Sequence, residues 1–233
     1  MSLESPQALV TSANRILARE GILDAFGHVS IRSPTIPDRF FLSRSLAPEL
    51  VTEDDVLEFD CAGEPVTPTS RALYSERYIH SAIYRLRPDV HAICHHHAPS
   101  LMPFCLSDIK LSVVSQLGAA IGKIVPIWDQ RTEFGATNHL VKCDAEAVSL
   151  ARCLGPHNLV LMKRHGATVI GSNLRDLVFR SIYSCRNAEL QLRGLAHGEI
   201  SVLTDDEITL AGQFREATLN RAWDYWLSRL TND

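Results

Sequence analysis

An α/β layered fold is predicted by three features of this 233-residue sequence. Helical periodicity occupies both ends, short strand-like runs fill the middle, and no repeat or low-complexity linker divides them. A chain of this length with 45% hydrophobic residues can bury one ordinary core, so residues 1–233 are read as a single domain. The formal net charge of -4 gives no electrostatic footprint for nucleic acid. No apolar run reaches the roughly 18 residues needed to span a membrane. The N-terminus lacks the basic start and apolar stretch of a secretory signal, which predicts a cytoplasmic protein.

Each element has a local cause. Ser5-Pro6 is an N-cap followed by proline at the first helical position, and Leu9, Val10, Ala13, Ile16 and Leu17 recur at helical spacing over 6–20. Gly21 stops that helix. Residues 27–32 alternate as a strand, with 40–43 as a hairpin partner across Pro34 and Pro37 and 56–59 as a further strand. The piece between them, 44–55, is either a substrate-contacting loop or a solvated connector. Residues 75–85 form a helix that ends before Pro88, with Ile79 and Ile83 on its buried face and Glu76 and His80 sharing another. Standing alone, Glu76 reads as a first-turn carboxylate that complements the helix dipole.

The strand at 90–97 is followed by a helix at 98–106, and 110–117 fits a strand or a short helix equally well. Residues 123–128 read as a strand, 145–153 as a short helix, and 158–162 and 167–171 as strands joined by a tight turn at His165-Gly166. A long amphipathic helix covers 173–195, and Thr204 caps a last helix over 205–230. The six cysteines form no Cys-x-x-Cys pair, and a chain this long needs no disulfide staples. Cys94 and Cys105 are expected to fill space as small apolar residues, with a nucleophilic Cys94 as the alternative.

Four histidines, His91, His95, His96 and His97, fall within seven positions. Side chains alternate across a strand, so His91, Ile93, His95 and His97 share one face while Cys94 and His96 take the other. Two imidazoles at i and i+2 can converge on one metal ion, which still needs one or two ligands from elsewhere. Hydrogen-bonded core histidines or a surface tract would give the same local pattern.

Read together, Ser75-Glu76-x-x-x-His80, His95-His96-His97 and Arg164-His165-Gly166 resemble the ordered blocks of the class II aldolase/adducin family, over roughly Ala8 to Leu195. Gly27-His28-Val29-Ser30 is similar to that family's Gly-Asn-Val-Ser block, with His in place of Asn. The resemblance implies a three-layer α/β/α sandwich around a mixed, largely antiparallel sheet, assembled as a homotetramer with sites at subunit interfaces. It implies His95, His97 and His165 as ligands to one divalent ion per chain, zinc or manganese first and iron or cobalt next. It makes Glu76 the acid/base.

Departures from the family pattern point to the substrate. Where sugar-phosphate members carry a glycine in a Thr-Pro-Ser-Gly-like loop, this chain has Ser43-Arg44-Ser45-Leu46; where they carry Ser-Ser-Glu, it has Tyr74-Ser75-Glu76. A phosphate cradle of backbone and hydroxyl donors is thereby eroded. Arg44 and Arg71 suit a planar carboxylate, and Leu46 and Tyr74 suit a flat ring. The resemblance is therefore to the decarboxylase branch, and it implies a metal-dependent carbon–carbon lyase acting on a hydroxylated aromatic or heteroaromatic carboxylate. The expected substrate is 3-hydroxy-2-methylpyridine-4,5-dicarboxylate of vitamin B6 breakdown, with dihydroxyphthalates as near rivals. His28, Ser43, Arg44, Ser45, Arg71, Tyr74 and Ser75 are the expected substrate contacts. The alternative is a class II sugar-phosphate aldolase or epimerase of the fuculose-phosphate type.

Overall fold

The computed structural model describes residues 4–230. Helix α1 (Pro6–Arg19) begins as its sequence predicts, with the Ser5 hydroxyl accepting from the Ala8 amide at 3.0 Å. Three short strands follow, β1 (His28–Arg32), β2 (Arg39–Ser43) and β3 (Val56–Asp60), then α2 (Arg77–Leu86), β4 (Ala92–His96) and α3 (Met102–Leu106). The second half holds β5 (Ile127–Trp128), α4 (Arg131–Phe134), α5 (Asp144–Leu154), β6 (Leu159–Met162) and β7 (Gly166–Gly171). Helices α6 (Leu174–Leu195), α7 (Asp205–Ala211) and α8 (Glu216–Leu230) close the chain.

The strands form one seven-stranded sheet in the order β3-β2-β1-β4-β7-β6-β5. Every neighbouring pair is antiparallel except β5 with β6, so the sheet is mixed and largely antiparallel. Period-two alternation divides its apolar side chains between two layers of helix. Val29, Cys94, Leu161 and Val169 meet Leu17 of α1, Leu177 and Phe179 of α6 and Trp223 of α8. Leu42, Ile93, Val160 and Ile170 meet Ile79 and Ile83 of α2 and Leu150 of α5. The result is the α/β/α sandwich that the resemblance implies.

Four local expectations change. The 98–106 helix shrinks to α3, because Pro99 and Pro103 lack the amide protons that a longer helix would use. Residues 110–117 belong to no sheet or helix through Gln116; Asn187 and Gln191 of α6 satisfy their backbone instead. The 123–128 strand contracts to the two residues of β5. The single helix expected over 205–230 breaks into α7 and α8 at Gly212, where a Cβ would lie 3.2 Å from the Ala119 carbonyl oxygen. Among the described residues, no helix is long and apolar enough to cross a membrane.

Candidate metal centre

Three chain segments bring four ligand groups together on the α2/α5 side of the sheet. His95 is the fourth residue of β4 and His97 lies just past its end, so the i, i+2 rule sends both imidazoles to one side. Their Nε2 atoms are 3.1 Å apart. His165 comes from the turn between β6 and β7, where its amide donates to the Met162 carbonyl at 3.0 Å. Arg164, the residue before it, adopts a left-handed backbone (φ 66°), anchored by its amide on the Cys105 carbonyl and by its guanidinium on both Asp129 oxygens at 3.1 Å. Gly166 lets this turn approach β4 closely: a Cβ there would overlap the His96 carbonyl oxygen and sit 2.9 Å from His97 Cδ2.

Glu76 completes the group from the residue immediately before α2. It therefore stands one position outside the helix rather than in its first turn. Its backbone (φ -90°, ψ 13°) is non-helical, and its side chain turns toward the histidines instead of capping α2. One carboxylate oxygen lies 3.5 Å from His95 Nε2 and the other 3.5 Å from His165 Nε2, while the Val141 amide donates to Oε1 at 3.1 Å. The candidate ligand atoms of Glu76, His95, His97 and His165 all lie within 4.8 Å of one another.

This donor set fits a divalent cation. Burial holds the His95 imidazole well below its ordinary pKa, lowers that of His97 and pushes His165 down to about 4. The three rings are therefore neutral at pH 7, the form that ligates metals. Burial pushes the Glu76 carboxyl the other way, to about 7, against the Val141 hydrogen bond. His95 is further oriented by the Thr168 hydroxyl, 3.3 Å from its Nδ1 and on the neighbouring strand in direct register. Three imidazoles and a carboxylate suit zinc, manganese, iron or cobalt alike.

A cleft of about 570 Å³ opens over the centre, lined by His28, Ser45, Leu46, Tyr74, Ser75, Glu76 and His97 among others. His28 and Tyr74 face each other with ring centroids 4.6 Å apart. The Tyr74 hydroxyl donates to the Leu46 carbonyl and accepts from the Leu46 amide, so the 45–47 loop and this ring form one wall. Ser43 lies fully buried beneath that wall at the end of β2. Phe26, 69% exposed, stands at the rim.

Three expected contacts do not line this cleft: Ser43, which is buried, Arg44 and Arg71. The Arg44 guanidinium is engaged by the Asp55 carboxylate at 2.7 Å, and Arg71 donates to the Asp54 carbonyl. Neither lines the cleft, because the 52–55 turn supplies nearer acceptors for both. His91 is exposed ahead of β4, and His96 points to the opposite face, where its Nδ1 accepts from the Ala98 amide. Cys94 is buried on that face too, with its thiol pushed up by desolvation, which argues against a nucleophile. His80, read from the sequence only as sharing a helix face with Glu76, bonds His28 directly, and Tyr84, which the sequence reading passes over, joins the same cluster through Ser30. The i, i+4 spacing of His80 and Tyr84 on α2 carried that signal.

A half-buried to buried cluster of three histidines and one glutamate beneath an open cleft, mounted on a mixed sheet between two helical layers, defines the scaffold as class II aldolase-like. Residues 8–192 match the family described as Class II Aldolase and Adducin N-terminal domain, and the chain belongs to this family. It is 31% identical to Decarboxylase tropJ of Talaromyces stipitatus, over 95% of this chain and 92% of the relative. It is 26% identical to 3,4-dihydroxyphthalate decarboxylase of Arthrobacter keyseri, again over 95% and 92%. Among solved structures, L-fuculose 1-phosphate aldolase from Glaciozyma antarctica PI12 shares the fold, with a TM-score of 0.79, 20% identity and coverage of 99% of this chain and 92% of that one.

Proposed function

We propose that the protein is a metal-dependent carbon–carbon lyase that removes carbon dioxide from hydroxylated aromatic or heteroaromatic carboxylates. The observation that carries this reading is the convergence of His95, His97, His165 and Glu76 beneath a cleft walled by the rings of His28 and Tyr74. The two decarboxylase relatives, each matched over 95% of this chain, support it. In this reading the three histidines hold the ion and Glu76 is the acid/base. When bound, the divalent ion supplies Lewis acidity for negative charge developing on an adjacent substrate oxygen.

The remaining work falls to the chain's own groups. The cleft walls hold a flat ring between apolar and aromatic faces, and the Ser45 and Ser75 hydroxyls offer hydrogen bonds to its polar substituents. Direct loss of carbon dioxide would leave an anion in the ring plane, where resonance cannot reach it. Protonation of the ring carbon first avoids this: the carbon–carboxylate bond then breaks, and its electron pair restores the ring. Glu76, whose carboxyl burial pushes up to about 7, is the donor we assign to that carbon. Arg44 and Arg71 act at one remove, Arg44 by tying the 44–47 loop and Arg71 by tying its own segment to the 52–55 turn.

Within this class, 3-hydroxy-2-methylpyridine-4,5-dicarboxylate and the dihydroxyphthalates are the substrates we favour. The homotetramer that the family resemblance implies also belongs to this reading: Phe26 and Leu140 at the cleft rim are the apolar surface that a neighbouring subunit would cover. The test is a screen of ortho-hydroxy aromatic and pyridine carboxylates for carbon dioxide release, with metal analysis of the same preparation. Retro-aldol cleavage of a phosphorylated ketose, without carbon dioxide release from any aromatic acid, would favour the aldolase alternative instead.

A further inference from the structure

A line of four buried side chains leaves the floor of the cleft and runs through the interface between β1 and α2. His28 Nδ1 lies 2.7 Å from His80 Nε2, His80 Nδ1 lies 2.6 Å from the Ser30 hydroxyl, and that hydroxyl lies 2.8 Å from the Tyr84 hydroxyl. The geometry follows from two periodicities. His28 and Ser30 are two apart on a strand, and His80 and Tyr84 are four apart on the helix packed over it, so the two pairs interleave. Each of the four residues is no more than 2% exposed.

The two ends of the line meet different cavities. His28 lines the metal-centre cleft. Tyr84 lines a second cavity of about 420 Å³, whose wall also includes Arg32, Asp38, Cys61 and His91 and shares no residue with the cleft. Because Nδ1 of His28 is taken by His80, Nε2 is the ring nitrogen available to the cleft.

We propose that His28, His80, Ser30 and Tyr84 form a proton relay between the cleft and the second cavity, one that removes and later returns the hydroxyl proton of a bound phenolic substrate. Its use of a hydroxylated substrate rests on the reaction proposed above. Every member both donates and accepts, so the line has two complete polarities. In one, His28 carries its proton on Nδ1 and presents a bare Nε2 to the cleft. When the substrate O–H bond breaks and an Nε2–H bond forms, the Nδ1 proton passes to His80 Nε2 and the His80 Nδ1 proton passes to Ser30. The Ser30 proton then passes to Tyr84, and the Tyr84 proton passes to water in the second cavity. The line now stands in its other polarity with every group neutral. As product leaves, the steps run backwards and each bond is restored. Glu76 supplies the separate proton that ends on carbon.

Burial makes transfer, rather than storage, the workable mode. Among the described residues, no carboxylate is hydrogen-bonded to any of the four, so a charge held on either imidazole would have no partner. A fixed charge beside the line is Arg32, whose Cζ sits 4.7 Å above the Tyr84 ring and whose guanidinium donates to the carbonyls of Pro37, Tyr84, Val90 and Arg87. That cation favours loss of the Tyr84 proton, against burial, which pushes the phenol well up, so the proton leaves Tyr84 only as the one from Ser30 arrives.

The zinc-loaded protein, which is diamagnetic, allows the ring tautomers to be read from histidine nitrogen-15 shifts. In the parent the two polarities exchange and His28 shows averaged nitrogen shifts. In Tyr84→Phe, Ser30 can donate only to His80, which locks His28 with its proton on Nε2 although Tyr84 does not touch it. Ser30→Ala should also change the His28 shifts, and Ser30→Thr, which keeps the hydroxyl, should restore the parent pattern. A second readout uses 2,3-dihydroxybenzoate as ligand: the phenolate absorbance on binding should rise at least about tenfold more slowly in Tyr84→Phe and Ser30→Ala, with zinc content unchanged. Identical His28 shifts in the parent and both variants, or equal rates of ligand ionisation, would overturn the relay. If no ortho-hydroxy acid is decarboxylated by the parent, the reaction proposed above fails, and the tautomer shifts still decide the relay.

Discussion

His95 and His97 hold their Nε2 atoms 3.1 Å apart, with ring planes nearly perpendicular at 84°. At that separation two neutral imidazoles can share one proton, but a cation between them satisfies both lone pairs at once. His165 approaches the same point with its ring centroid 4.9 Å from that of His95 and 5.0 Å from that of His97.

His95→Ala should therefore abolish metal binding, and His165→Ala should do the same. His91→Ala and His96→Ala should retain the ion, because the first side chain is exposed in a different cavity and the second faces the opposite helical layer. Metal content per chain after dialysis is the measurement. Full occupancy in a His95→Ala/His165→Ala double variant would contradict the ligand set.

Gly166→Ala tests the turn rather than the ligands. The added methyl group would collide with the His96 carbonyl and crowd His97, so the β6–β7 turn must move away from β4 and take His165 with it. Metal affinity should fall by roughly 10–100-fold, on the scale of disturbed outer-shell support for a metal ligand. Titration with zinc against a competing chelator reads the change directly.

Glu76→Gln keeps the size of the side chain and removes its acid/base function. If Glu76 supplies the proton to carbon, kcat should drop by about 10² to 10⁴-fold with little change in bound metal. Turnover of the parent in deuterated water should place one deuterium at the carbon that lost its carboxylate. Normal turnover by Glu76→Gln would move that role to another group.

Asn187→Ala tests how the irregular 110–116 segment is held. The Asn187 carboxamide accepts from the Val114 amide at 3.0 Å and donates to the Ser112 carbonyl at 2.8 Å. Stranding a buried backbone group costs about 1–3 kcal/mol. In a domain of this size each kcal/mol lowers Tm by roughly 2–4 °C. Calorimetry on the parent and variant should show a fall of at least that order, and an unchanged Tm would mean that water replaces the side chain without cost.

The parts of the fold legible from local pattern were those with strong period and clear caps. Strands β1, β4, β6 and β7 and helices α1 and α6 fall within a few residues of their expected bounds, since Ser5, Gly21, Pro88 and Asn173 punctuate the chain where the backbone turns. The 110–116 segment was not legible because its hydrogen-bond partners lie more than 70 residues away on α6. The break before α8 depends on Gly212 meeting Ala119, which is equally remote. At the candidate site, the histidine spacing on β4 could be read directly, whereas the places of Arg44 and Arg71 depended on which acceptors the 52–55 turn would offer. Motif neighbours carry no information about that.

The groups of the centre are scattered along the chain at positions 76, 95, 97 and 165, and the strands that juxtapose them pair residues as far apart as Ala92 and Gly171. A nascent polypeptide emerging from the ribosome has no high-affinity place for an ion until β7 has been synthesised and laid beside β4. Metallation is thus a late event in biogenesis, and fragments that stop short of residue 171 should emerge without it. Once captured, the ion would clasp two separated stretches of backbone, the end of β4 and the β6–β7 turn. Its release should then show as faster global unfolding and earlier proteolysis, beyond any loss of turnover.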